Sequence, residues 1–330
     1  MLYKSWRQRL TLFLVGIMIV VFAQGCYGIV RQQFLAQKLE ATSSECRTVK
    51  HELGKSCIPI NPQRIIVMDQ ESLEILVALG LQPIASTVAN QVGTKQELLQ
   101  DKMGAIANLG KDGQPNLEKI VELNPDLIVG LFISPQNYSI LSKIAPTVSI
   151  EYSQTGWKKT LQQTAEIVNK VQEAKKLLDA YQQKVANLKS IFAQRTGKLK
   201  ICIMRFYTTL AFTQFLNHNS FAVNVMEELE LLSIPEIQRQ QIQVPNSDYG
   251  YINTSLEQVD LLEADKMFLA IDPGAESSLE VYANSPLWQT LNVVKKNQVY
   301  KVDSGYWIFG NILSANAILD DLYKYLIEKN

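Results

Sequence analysis

Few residues of this chain are placed to do covalent chemistry. Its two histidines, His51 and His218, lie far apart, which argues against a histidine-built zinc or copper site. There is no GxSxG turn, P-loop, strand-following GxGxxG or histidine–carboxylate cluster. What remains suits recognition. Arg205 closes the apolar run LKICIMRF, and a guanidinium fork at a strand end is suited to the oxygens of an anionic ligand. Tyr207 alternates onto the same strand face. Asp112 and Ser134 follow strand-like runs in loops expected to face the same cleft. The other reactive groups are four cysteines, Cys26, Cys46, Cys57 and Cys202.

Cys26 belongs to the N-terminal signal. Residues 1–9 carry Lys4, Arg7 and Arg9 and no acid, and residues 10–23 are an uncharged apolar run. A basic start, a short apolar stretch and small residues before a cut form an export signal, here residues 1–26. The run is shorter than the ~20 residues that span a bilayer comfortably. Gly25-Cys26 resembles a bacterial lipobox, whose cysteine is acylated and becomes the new N-terminus, although Ala23 departs from that pattern. The competing reading is an uncleaved anchor helix extending through Tyr27 to Val30. Either one tethers the protein on the outer face of the membrane, with residues 27–45 as the tether. Export implies an oxidising compartment, where nearby cysteines pair. Cys46 and Cys57 flank RTVKHELGKS, whose Leu53-Gly54-Lys55 reads as a turn, so a disulfide-closed β-hairpin is expected. Cys202, inside ICIM, reads as a buried strand residue.

Hydrophobic residues make up 47% and charged residues 19%, a composition that forms ordinary cores. Lys+Arg and Asp+Glu balance at 32 each, so no positive excess points to nucleic acid.

From Ile65 onward, short apolar runs alternate with helical patterns, which implies parallel α/β sheets. Strands are expected around residues 65–68, 83–88, 125–132 and 147–152, with helices between them. Asp69 or Ser72 would cap the first helix and Gly80 would stop it. Residues 157–195 contain no Gly or Pro and end in a long amphipathic helix. The alternation then restarts with LKICIMRF and closes on the amphipathic helix ILSANAILDDLYKYLIEK. The expected organisation is a first α/β lobe over 46–156, a helical linker over 157–197 and a second α/β lobe over 198–330.

One internal repeat supports this division. NLEKIVELNPDLIVG, starting at Asn116, aligns without gaps with SLEQVDLLEADKMFL, starting at Ser255. Each has a polar cap, Leu-Glu, a helical pattern, then x-Asp and a strand. Glu118 and Glu257 occupy matching positions. Two related lobes joined by a long helix leave a cleft between them for a ligand.

PQRIIVMDQESLEILVALGL, GQPNLEKIVELNPDLIV, LSKIAPTVSIEY, SLEQVDLLEAD and the ending YWIFGNILSANAILDDLYKYL together resemble the iron-siderophore and cobalamin class of ABC-importer binding proteins. The likeness runs from about Cys46 to the C-terminus. It implies two Rossmann-like lobes bridged by one rigid helix, a metal chelate as ligand, delivery to a membrane permease, and no chemistry on the ligand. It implies that Glu118 and Glu257 meet arginines of the permease, one from each lobe. It places Arg205 on the chelate, and aromatic contacts at Trp307 and Tyr249, with Tyr306 and Tyr251 as neighbours of lower rank. Two departures bear on the ligand. Residues 208–212 lack the second basic residue of many relatives, and Asp112 stands where some have Arg. The expected ligand is therefore a ferric siderophore of hydroxamate or mixed carboxylate type, contacted without direct protein–iron bonds. Cobalamin or haem, a ligandless adaptor and an exported two-lobed enzyme are the alternatives. No other cofactor is expected, and the chain is expected to act as a lipid-anchored periplasmic monomer.

Overall fold

The computed structural model describes residues 46–89, 92–153, 156–208, 213–241 and 250–328. The export signal, Cys26, the tether and Tyr249 lie outside the described residues. Among those described, no helix is long and apolar enough to cross a membrane.

β1 (Cys46–His51) and β2 (Gly54–Pro59) form the expected hairpin, and Cys46 and Cys57 are both disulfide-bonded. The turn falls at Glu52-Leu53, one residue earlier than the sequence suggests. Cys202 is a free, buried thiol, as expected of a strand interior.

Two six-stranded sheets follow, both within the compact unit Thr48–Asn330. The first has the order β6-β5-β4-β3-β7-β8. Its strands are β3 (Ile65–Val67), β4 (Ala85–Val88), β5 (Ala107–Lys111), β6 (Gln114–Pro115), β7 (Leu127–Gly130) and β8 (Thr147–Ser149). All its pairings are parallel except β5 with β6. The second runs β12-β10-β9-β13-β14, with β11 (Leu232–Ser233) beside β9. Its strands are β9 (Leu199–Phe206), β10 (Thr213–Leu216), β12 (Tyr251–Thr254), β13 (Lys266–Ile271) and β14 (Val299–Asp303). β9, β13 and β14 are parallel, while β10 is antiparallel to both β9 and β12.

Local chemistry explains the helix starts. Asp69 caps α1 (Gln70–Ala78) by accepting from the Ser72 amide, and Gly80, at φ 78°, follows its end. α2 spans Gln96–Leu99, α3 Leu117–Leu123 and α4 Pro135–Leu141. Asn116 caps α3 and Ser134 caps α4, each accepting from the amide three residues on. The linker divides in two. α5 (Trp157–Ile167) ends before Asn169, whose φ of 57° breaks the helical path. α6 (Val171–Arg195) then runs 25 residues, ~37 Å at 1.5 Å per residue. Its buried stripe is Ala174, Leu178, Tyr181, Val185, Leu188 and Phe192. Trp157 stands edge-on to Tyr181 at 5.2 Å and to Phe221 of α7 (Phe221–Glu227) at 6.0 Å. α8 (Ser304–Trp307) and α9 (Ile312–Tyr323) follow, α9 packing on α1, α6 and α7 and continuing into a π-helical turn at Lys324–Glu328. One core therefore runs continuously from β3 and α1 through α6 to β9 and α9.

The repeat is real in three dimensions. Asp126 accepts from the amides of Gln63 and Arg64 at 2.7 and 2.9 Å, fastening the entry to β3. Its counterpart Asp265 accepts from the Lys200 amide at 2.7 Å in β9. Each clasp sets the following strand, β7 or β13, beside the first strand of its lobe. The copies differ in one respect: the second helical stretch, Leu256–Leu262, is a 3-10 helix with non-helical dihedrals at Gln258, not the expected α-helix.

Candidate functional site

In open parallel sheets, ligand contacts gather at the carboxyl ends of the strands. In the second lobe β9 ends at Phe206 and β13 at Ile271, and these two residues are register partners. Arg205 and Asp272 therefore come side by side, although 67 residues separate them. Arg205 donates from Nε at 3.1 Å and from a terminal nitrogen at 2.8 Å, both to one Asp272 oxygen. Both side chains are buried. Burial pushes the Asp272 carboxyl up from its usual value, and Arg205 opposes that shift. The guanidinium lies 4.7 Å from the Tyr207 ring centroid and 5.7 Å from that of Tyr251. The expected pairing of Arg205 with Tyr207 is thus present. Gly250 precedes Tyr251 at φ 79°, and a Cβ there would fall 2.2 Å from the Ser220 amide nitrogen.

From Tyr251 an aromatic run crosses to the first lobe. Tyr251 meets Phe309 at 6.0 Å. Phe309 meets Tyr152 at 6.1 Å and Phe132 at 6.3 Å, and those two lie 4.8 Å apart. Phe132 follows β7 and remains 44% exposed, unusual for a phenylalanine beside a core and suited to covering an incoming ligand. No local sequence pattern singles out Phe132, Tyr152 or Phe309.

Trp307 is where the sequence expectation fails. Its indole is fully buried, stacked 4.9 Å from Phe268 of β13, and its Nε1 donates to Asp321 at 2.9 Å. Tyr306 donates to the same Asp321 oxygen at 2.8 Å. The short turn of α8 rotates Trp307 into the core, where its N–H needs a partner. Phe309, two residues on, is the aromatic that reaches the run.

The first lobe adds acids. Asp69 is fully buried and accepts from the Ser72 and Leu131 amides, both at 2.6 Å. Asp112, at the end of β5, accepts from the Thr87 hydroxyl. Burial pushes its carboxyl up to about 7, with the nearby Asp69 charge adding to the shift. Burial likewise pushes Glu71 up to about 8, against the attraction of Lys95 at 3.9 Å. Ser134 is exposed and acts as the α4 cap. Glu118 and Glu257 are both exposed, each in the first turn of its repeat copy. A separate cavity of about 380 Å³ lies between α2 and β4–β5. Uncharged residues such as Leu73, Leu99, Met103 and Ile106 line it, and it includes no member of the aromatic run. Among the described residues, no group of three His, Cys, Asp or Glu side chains is placed to hold a metal ion.

The raised acids carry a stability consequence. A carboxyl whose folded pKa lies above its unfolded value contributes fully in acid and loses that contribution as pH rises through the folded value. For Glu71 the window runs from 4.5 to about 8. Glu71→Gln should therefore gain stability relative to the parent between pH 5 and pH 8. Urea unfolding of both proteins at the two pH values checks this, and parallel pH dependence would rule out a buried proton at Glu71.

Residues 65–306 match the sequence model of the periplasmic binding protein family. The chain belongs to that family. It is 30% identical over 332 residues to the probable siderophore-binding lipoprotein YfiY of Bacillus subtilis, covering 98% of this chain and 99% of that one. It is 26% identical over 287 residues to the iron(3+)-hydroxamate-binding protein FhuD of the same organism, covering 87% and 88%. Among solved structures, Staphylococcus aureus SirA complexed with staphyloferrin B superposes with a TM-score of 0.71 at 28% identity, covering 85% of this chain and 98% of that chain. The two-lobed α/β architecture expected from the sequence is thus the family's architecture.

Proposed function

We propose that this protein is the substrate-binding component of an ABC importer, taking up a ferric siderophore of hydroxamate or mixed carboxylate–hydroxamate type and handing it to a membrane permease. The observation that carries this reading is the aromatic run from Phe132 through Phe309 to Tyr251, which ends on buried Arg205 between the two sets of strand ends. Such a surface suits a ligand with an apolar backbone and a polar iron-chelating centre. The relatives support it, since YfiY carries a siderophore-binding name and FhuD an iron(3+)-hydroxamate-binding one. Arg205, Tyr207, Asp112 and Ser134 are the proposed ligand-facing set, joined by Tyr249. Trp307 supports that surface from behind. The carrier does no chemistry on its cargo, and acylated Cys26 holds it at the outer face of the membrane.

Tyrosine and tryptophan emission should quench on titration with ferric hydroxamates. A flat response across hydroxamate, citrate and catecholate iron complexes would sink the proposal. Phe309→Ala should weaken the bound chelate about tenfold, the equivalent of the ~1.4 kcal/mol expected from one lost aromatic contact.

Glu118 and Glu257 are the proposed docking carboxylates. Rim charges of this kind act through encounter and orientation more than through affinity. The double variant Glu118→Ala/Glu257→Ala should keep chelate affinity and lose most iron uptake in cells carrying the cognate permease. Unchanged uptake would remove the docking role.

A further inference from the structure

Arg205 is the cation that the sequence offers for an anionic ligand, yet its fork is already filled. Two of its three nitrogens bind Asp272, and tyrosine rings lie against it at 4.7 and 5.7 Å. That leaves one terminal nitrogen for a ligand. The only other buried cation near the carboxyl ends of the strands, among the described residues, is Lys95, and it too is matched. Lys95 pairs with Glu74 at 3.2 Å and donates to Gly305 O, Phe309 O and Ser314 Oγ. Between Phe206 and Gly250 the sequence has a single Lys or Arg, Arg239, which pairs with Glu227. Carboxyl groups, by contrast, recur at the ends of β3, β5, β13 and β14, as Asp69, Asp112, Asp272 and Asp303.

We propose that Asp272 is a specificity-determining residue: by occupying Arg205 it limits the cleft to ferric chelates of little net charge, zero or minus one, and turns away trianionic tris-catecholates. This rests on the siderophore reading above. A trianion entering this cleft must exchange water for a buried site in which Asp272 already neutralises Arg205, and it finds no free guanidinium fork in return. A neutral hydroxamate complex carries no such desolvation cost and keeps its contacts with the aromatic run.

The test compares four iron complexes: ferrichrome, ferrioxamine E, a monoanionic ferric citrate–dihydroxamate chelate and trianionic ferric enterobactin. Wild-type protein should bind at least one of the first three about a hundredfold or more tightly than ferric enterobactin, a gap of ~2.7 kcal/mol. Asp272→Asn keeps the side-chain shape and one acceptor oxygen but removes the negative charge that neutralises Arg205. It should raise ferric enterobactin affinity and narrow the gap at least tenfold. An unchanged or wider gap in the folded variant, or a wild-type preference for the trianion, overturns the charge rule alone. If none of the four binds, the siderophore reading falls and the charge rule with it. A second measurement needs no variant. Raising ionic strength from ~0.05 to ~0.5 M, which shortens the screening length several-fold, should leave the best wild-type affinity within about twofold. A loss of tenfold or more would identify Arg205 as an open anion receptor and overturn the proposal.

Discussion

Replacing Lys95 by methionine should cost the protein about 3–5 kcal/mol, the range for breaking a buried ion pair by removing one partner. Lys95 and Glu74 are both buried, one in the loop before α2 and the other in α1. Glu74 accepts from the amides of Asn311 and Ser314 at 3.0 and 2.8 Å, and from the Ser314 hydroxyl at 2.7 Å. Lys95 ties Gly305, Phe309 and Ser314 from the other direction. Together they fasten the first lobe to the turn and helix that close the second. In Lys95→Met a buried carboxylate keeps its amide donors but loses its counter-charge, and two carbonyls lose a donor. At roughly 2–4 °C per kcal/mol for a domain of this size, thermal unfolding should fall by about 6–20 °C. Lys95→Met/Glu74→Leu should fall by much less than the sum of the single variants, because the uncompensated charge is then gone. Additive losses would show that the two residues do not act as a pair. Because Lys95 also holds the backbone of Phe309, the single variant should weaken chelate binding as well.

The second large effect is expected at Asp69. Its carboxylate joins the start of α1 to the end of β7 by accepting from Ser72 and Leu131, and Leu131 directly precedes Phe132. Asp69→Ala strands two buried amide donors, each worth ~1–3 kcal/mol when unsatisfied, and the Ser72 one is the helix cap. A loss of about 3–5 kcal/mol should appear as a lower urea midpoint with unchanged slope. Asp69→Asn keeps one acceptor oxygen and should cost less. Equal costs for Ala and Asn would mean that the cap and the Leu131 contact contribute little.

Much of this architecture is legible in the chain, because local rules dominate where it is regular. Alternating short apolar runs and helical patterns predict parallel sheets, and Asp69, Asn116 and Gly80 stand where capping chemistry puts them. The repeat is legible because Asp126 and Asp265 do the same mechanical work in both lobes. Elements of mixed polarity are harder to read. β10 and β12 are short antiparallel strands, TQFL and YINT, whose polar positions hide their period. The site is less legible than the fold. Asp272 meets Arg205 only through the register of β13 on β9, which no local pattern encodes. Lys95, in GTKQELLQ, has the sequence of an exposed helix start and is instead buried by a helix more than 200 residues away. In YWIF, spacing alone does not decide which aromatic turns inward; that depends on the turn at Ser304–Trp307.

The continuous core through α6, with the Lys95–Glu74 fastening, has a consequence for traffic at the membrane. A carrier whose halves are fastened this firmly looks much the same from outside whether loaded or empty. On the proposed function, spent carriers then rival full ones for the same permease. Delivery becomes a matter of the ratio of loaded to unloaded copies on the membrane, and making more carrier without more iron chelate slows uptake instead of speeding it.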